Sequence, residues 1–251
     1  MTRLTIILSF IFIGAFLQAQ ELTGTEIMTK ADQKLRGLTN KTLMSMTIER
    51  PTWSRTIEMK SWAKGQEYSL VIITSPAKEK GQTFLKREND MWNWIPQISR
   101  MIKLPPSMMS QGWMGSDYSN DDILKESSII YDYNHTLLGS EKYDGYDCYK
   151  LKLLPKEEAA VVWGKIIKLI TKDEFLQIKT LYYDEEGFLI KTELASDIKL
   201  MDDRKIPTYI EIIPNEEKGN KTVLKIKSVE FNIDFKKGFF SQQNMKRAER
   251  L

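Results

Sequence analysis

Thr42-Leu43-Met44-Ser45-Met46-Thr47-Ile48-Glu49 is the stretch on which the fold turns. The period of the sequence changes here from helical to strand-like. Arg50-Pro51 follows as a turn. Ser54 to Ala63, Tyr68 to Ser75, Gly81 to Arg87 and Met91 to Ile95 then read as further strands. Lys64-Gly65, Glu79-Lys80-Gly81 and Glu88-Asn89-Asp90 are the turn formers between them. Strands at this spacing, with tight connections, indicate an antiparallel meander.

Upstream, Thr23-Gly24-Thr25-Glu26 has the spacing of a capping box, and it predicts a helix start. Ile27, Ala31 and Leu35 recur at helical spacing, with Met28 and Leu38 beside them, and Gly37 is the expected stop. Downstream the strand rhythm resumes, with candidates at Ser127 to Leu138, Tyr146 to Leu154, Trp163 to Thr171, Phe175 to Asp184, Leu189 to Leu200, Thr208 to Pro214 and Thr222 to Phe235. Asp144-Gly145, Glu186-Gly187 and Lys218-Gly219-Asn220 punctuate them. About ten antiparallel strands in one domain must curl into a barrel or split into a sandwich.

The N-terminus reads as an export signal. Arg3 is the only charge before Glu21, and Leu4 to Leu17 is almost wholly apolar before Gln18-Ala19-Gln20. A charged start, a short apolar run and a small residue at the break describe a secretory signal peptide over residues 1–19, cut after Ala19. Residues 20–251 are expected to be one domain, since no linker or low-complexity tract divides them. Removing Arg3 leaves 36 basic against 34 acidic residues. These charges are interspersed, so no nucleic-acid stripe is expected. Cys148 is the only cysteine, so no internal disulfide can form and stability must come from the core.

The segment Pro96 to Glu126 breaks the rhythm, with Pro105 and Pro106 ending any strand and Ser119 to Asp122 reading as a second helix start. Met91 to Met114 holds Trp92, Trp94, Trp113 and five of the twelve Met residues. Methionine moulds itself to partners of varied shape and tryptophan offers a large apolar face, so the cluster suits either a pocket for flexible hydrocarbon or core packing under a long loop. His135, the only histidine, and Cys148 do not approach a zinc site, and no metal or cofactor is expected. Asp117, Asp121 and Asp122 lack the calcium-loop spacing, and helix-start and surface roles fit them better. Gly112 to Asp117 matches neither a nucleophile elbow nor a phosphate loop, so no catalytic residue is assigned.

The central segment is similar to a known family. Trp92-Asn93-Trp94-Ile95-Pro96, Arg100 to Pro105, Met108-Met109-Ser110, Trp113 to Asp122 and the later Gly145 to Leu151 resemble the LolA-like outer-membrane lipoprotein-sorting family, in its broader branch. The resemblance implies a mainly β fold: an incomplete antiparallel β-barrel, a curved sheet covered on its concave side by the N-terminal helix and a mid-chain helix and loop insertion. It implies a non-catalytic, monomeric periplasmic carrier that binds acyl chains of lipoproteins or lipids for transfer to the outer membrane. An inner-membrane lipid exporter is a candidate partner. The alternative is a lipid-sensing or exporter-docking module without carrier activity, and an envelope hydrolase ranks third. Trp92 and Trp94 are two apart and share a strand face. That face, with Met101, Leu104, Met108, Met109, Trp113 and Met114, is expected to touch the acyl chain or the lid. Arg50 and Arg55 are the two candidates for a basic residue that locks the lid.

Overall fold

A computed structural model describes residues 21–88, 90–125, 128–159 and 161–251. The export signal expected over residues 1–19 lies outside them. The chain begins with helix α1 (Gly24–Arg36), and both halves of its capping box form. Thr23 Oγ1 accepts from the Glu26 amide at 3.2 Å, and Glu26 Oε2 accepts from the Thr23 amide at 2.8 Å. These bonds hold the Glu26 carboxyl below its ordinary pKa. Gly37 ends the helix at φ 63°, a left-handed conformation that glycine takes without steric cost.

Six strands follow as a meander: β1 (Thr39–Arg50), β2 (Trp53–Lys64), β3 (Tyr68–Ser75), β4 (Thr83–Arg87), β5 (Asp90–Ile95) and β6 (Arg100–Lys103). After the mid-chain segment come β7 (Tyr133–Tyr143), β8 (Tyr146–Pro155), β9 (Lys165–Thr171), β10 (Gln177–Tyr183), β11 (Leu189–Met201), β12 (Arg204–Pro214) and β13 (Lys221–Phe231). All thirteen form one antiparallel sheet in the order β6-β5-β4-β3-β2-β1-β13-β12-β11-β10-β9-β8-β7. Each run pairs neighbour to neighbour, and the β1–β13 seam joins them, from Asn40↔Phe231 to Glu49↔Lys221. The sheet is open: β6 and β7 are its two edges. It is the expected incomplete barrel, with thirteen strands where about ten were read.

The structure adds one strand to those expected and shifts several strand ends, among them the start of β12, at Arg204 and not Thr208, and the end of β13, at Phe231 and not Phe235. β6 lies inside the segment read as lacking strands, because Pro96 makes a tight turn and Pro105 falls just after the last paired residue. The strand read from residue 127 begins at Tyr133, after a 3-10 turn at Ser128–Ile130.

Both faces of the sheet are covered. On the concave side, Ile27, Met28 and Ala31 of α1 pack against Tyr133, Leu151, Leu153, Ile166 and Ile170. At the other end, Leu104, Trp113, Met109, Met114 and Ile123 of the mid-chain segment pack against Met46, Ile48, Ile57, Met59, Ile73 and Phe84. That segment contains the short helix α2 (Asn120–Lys125). On the convex side, the C-terminal segment lays Phe235, Phe239, Phe240 and Met245 over Trp62, Leu70, Ile72 and Leu85. The short helix α3 (Gln242–Met245) belongs to this strap. Cys148 is buried on this convex side with Leu169, Leu176 and Ile178, and behaves as a small hydrophobe.

Candidate functional site: a covered concave cavity

Side chains of a strand alternate between faces, so every second residue of β1, β2, β3, β12 and β13 points into the concavity. Met44, Met46, Met59, Val71, Leu224 and Ile226 line one lobe there, together with Trp113 from the cover. A second lobe is lined by Met28 of α1, Ile129, Tyr133, Val161, Trp163, Ile166 and Tyr182. The lobes share Leu35, Arg36, Tyr118, Ile123, Glu193 and Ile210, so they are contiguous. Their volumes are about 1370 and 940 Å³, open solvent at their mouths included.

The cavity is not uniformly apolar. Arg36 and Asp32, one turn apart on α1, form an ion pair at 3.2 Å, and Gln66 Nε2 donates to the other Asp32 oxygen at 3.1 Å. On the floor, buried Lys168 donates to Gln177 Oε1 at 2.6 Å and Thr180 Oγ1 at 3.2 Å. Polar groups thus interrupt the apolar lining: Asp32, Lys168 and Gln177 in the second lobe, Gln66 in the first, and Arg36 and Glu193 where the two meet.

The cover, residues 104–125, is held down at two points. Arg50, at the end of β1, places its guanidinium on Asp117 with N···O distances of 2.9 and 3.2 Å, and also donates to the Gly115 carbonyl at 3.2 Å. Thr222 Oγ1 donates to Asp117 Oδ2 at 2.7 Å from β13. Arg55 on β2 donates to the Met114 carbonyl and pairs with Glu79 at 3.4 Å. Met114 and Gly115 both have positive φ, 55° and 77°, which turns the backbone sharply at this point. Both residues considered as lid-locking candidates therefore bind the same turn. The second tether is Lys191 of β11, whose ammonium pairs with Asp122 at 2.5 Å and lies over the Trp163 and Tyr182 rings at 4.7 and 4.9 Å. Trp163 Nε1 donates to the other Asp122 oxygen at 2.9 Å. Asp122 also caps α2 reciprocally with Ser119. Asp117 and Asp122 are thus taken up by buried cations of the protein itself, which accounts for two of the three aspartates read in the sequence.

The eight residues expected at the site are not brought together. Trp92, Trp94 and Met101 point to the convex face and pack on the C-terminal strap. The registers Trp92↔Lys103 and Trp94↔Met101 put them on that face. Leu104, Met109, Trp113 and Met114 belong to the cover and pack down against the concave floor. Met108 is half-buried, and its carbonyl accepts from Asn120 Nδ2 at 2.9 Å. Of the eight, Trp113 lines the cavity. Among the lining residues missed were Met44, Met46, Met59, Val71, Leu224 and Ile226. Their period-two alternation on β1, β2, β3 and β13 was the signal that could have found them.

His135 hooks the start of α1 to β7. Its Nδ1 lies 3.2 Å from Thr25 Oγ1, and its Nε2 lies 2.9 Å from the Ile129 carbonyl. Burial holds its pKa below the ordinary 6.5. Burial also raises the pKa of the Tyr133 hydroxyl, which donates to the Trp163 carbonyl at 3.2 Å.

A family model described as "-like: Uncharacterized protein" matches residues 65–247. Three crystal structures are similar over most of the chain. A DUF1329 family protein from Desulfovibrio piger is 24% identical with a TM-score of 0.81, covering 88% of this chain and 97% of that one. A putative outer membrane lipoprotein-sorting protein domain from Vibrio parahaemolyticus is 22% identical with a TM-score of 0.79, covering 89% and 98%. A LolA superfamily protein from Nitrosomonas europaea is 25% identical with a TM-score of 0.76, covering 89% and 99%. The sporulation protein YdcC of Bacillus subtilis is 24% identical over 228 residues, 89% of this chain. The chain spans 55% of that relative's length.

Proposed function

This chain belongs to the LolA-like family of outer-membrane lipoprotein-sorting proteins, and from that premise we propose that it is a non-catalytic periplasmic carrier of acyl chains. The cargo is the lipid moiety of a lipoprotein, or a free lipid, held as a monomer-to-ligand complex in residues 20–251. An inner-membrane lipid exporter is the expected donor. The observation that carries this reading is the two-lobed cavity between the concave face and the tethered cover. Its lining is mostly Met, Ile, Leu, Val and aromatic side chains.

The energetics fit such a cargo. Exposing an acyl chain to water costs about 0.8 kcal/mol per CH₂, so a sixteen-carbon chain represents at most about 12 kcal/mol of burial. A carrier must recover most of that and still release the chain. A floor rich in flexible methionine accommodates chains of different shape. A cover fixed by a few polar tethers, rather than by continuous strand pairing, can open without unpicking the sheet. Trp113 sits where the two meet.

The test is native mass spectrometry of protein isolated from its own cell envelope, with uptake of a fluorescent fatty acid by delipidated protein. The reading expects bound lipid, and uptake reduced about tenfold when Met44 is replaced by Glu, because a charge then faces the apolar lobe. Protein that holds no lipid and takes up no probe would refute it and leave the docking-module reading.

A further inference from the structure

We propose that the convex face beside the β5–β6 hairpin is a docking site for an anionic phospholipid surface. A shallow cleft there, about 550 Å³ with its open solvent, is lined by Lys80, Trp94, Lys246, Arg247, Glu249 and Arg250. Its four basic residues come from two separate segments, the β3–β4 turn and the C-terminal strap. None of them makes an ion pair among the described residues. Lys246 lies 5.2 Å from the centre of the Trp94 ring.

Beside this cleft, the tip of the β5–β6 hairpin carries an aliphatic side chain into solvent. Ile98 is 63% exposed at the turn Pro96–Ile98, and Pro96 itself lines the cleft. The tip is held in place: Gln97 Nε2 donates to the Lys78 and Lys80 carbonyls at 3.0 and 3.2 Å. Exposed Lys78 and Arg100 flank it.

The chemistry selects the partner. Unpaired cations on one face concentrate at an anionic bilayer, each contributing about fivefold to partitioning. An aromatic ring with basic neighbours suits the headgroup layer, where Lys and Arg stems lie along apolar surface and their heads reach outward. An acidic peptide would satisfy the cations and leave Ile98 in water, whereas a bilayer takes both. The cleft is on the opposite face of the sheet from the cavity. A protein docked this way therefore keeps its cavity and cover free.

Co-sedimentation with vesicles of phosphatidylglycerol and phosphatidylcholine, against vesicles of phosphatidylcholine alone, tests the assignment. Wild-type protein should bind the anionic vesicles, bind the neutral ones far less, and lose binding as salt screens the charges. Lys246→Glu/Arg247→Glu/Arg250→Glu should lose at least about a hundredfold, at fivefold per removed cation. Lys80→Glu, on a different segment, should lose at least about fivefold, which guards against a misfolded strap. Ile98→Asp should weaken binding with all cations intact. Fatty-acid uptake by these variants in vesicle-free solution should match the wild type, which separates this docking site from the carrier reading. Equal binding to neutral vesicles, or binding untouched by the charge reversals, would overturn the proposal. So would competition by inorganic phosphate as effective as by vesicles, or capture of polyglutamate without any vesicle binding.

Discussion

Replacing Arg50 with Ala removes a two-pronged tether of the cover. The Arg50 side chain is 14% exposed and that of Asp117 is 7% exposed, so the pair is screened little by solvent. Removing one partner of a buried ion pair costs about 3–5 kcal/mol, chiefly because the other charge is left buried. Asp117 would keep its bond from Thr222, which places the expected cost at the lower end, about 3 kcal/mol. Most of that cost falls on opening of the cover: outside it, the Arg50 side chain donates to the Glu49 and Lys221 carbonyls at 2.8 and 3.4 Å, at the very end of the β1–β13 seam, and the remaining pairings do not use it. Native-state hydrogen exchange measures it. The Asp117 amide donates across to Thr222 Oγ1 of β13 at 3.0 Å and those of Trp113, Asn120 and Asp121 bond within the cover, so together they report its release and loosening. In Arg50→Ala they should exchange about 150-fold faster, the equivalent of 3 kcal/mol, while the Met46 and Ile57 amides of the floor hold their protection. Arg50→Lys should fall between, because an ammonium keeps the charge and loses the two-pronged geometry. Unchanged cover amides in Arg50→Ala, or cover and floor accelerating together, would refute the view of the cover as a separately tethered unit.

Other outcomes follow from single contacts. Trp113 is buried, and its indole N–H has no acceptor among the described residues, so Trp113→Phe should change urea stability by no more than about 1 kcal/mol, whereas Trp113→Ala should cost about 3–5 kcal/mol. His135 has a lowered pKa in the folded state, so its stabilising share is full above 6.5 and is lost as pH falls below that value; thermal melts of His135→Gln should show a weaker pH dependence across this window. A Cβ on Gly112 would lie 2.6 Å from the Ser116 carbonyl oxygen, so Gly112→Ala should loosen the cover turn and raise exchange of the Ser116 amide.

Much of the fold could be read because local chemistry and global structure agree. The capping box at Thr23 and Glu26, and the tight turn at Asp144 and Gly145 with φ of 48° and 81°, are local features set by a few adjacent residues. The site was less legible. Alternation showed that Trp92 and Trp94 share a face, but not which face. In this protein both faces of the sheet are apolar, because the strap of Phe235, Phe239 and Phe240 covers the convex side as the cover does the concave one. The proline on each side of β6 disguised a strand that needs only four paired residues. Arg50 and Arg55 reach carbonyls and a carboxylate some sixty residues away in sequence. Such contacts leave no periodic mark, so only the family resemblance could single these two residues out.

The backbone leaves β6 at one free edge of the sheet and re-enters it as β7 at the other. The cover is therefore more than a flap. It is a drawstring running from rim to rim across the bowl. A chain reaches at most about 3.3–3.6 Å per residue, so the length of this string limits how far the two rims can spread around an occupant. Larger or smaller occupants could be accommodated by lengthening or shortening residues 104–132, with the thirteen strands left as they are. Insertions there would change capacity, and substitutions on the floor would change preference.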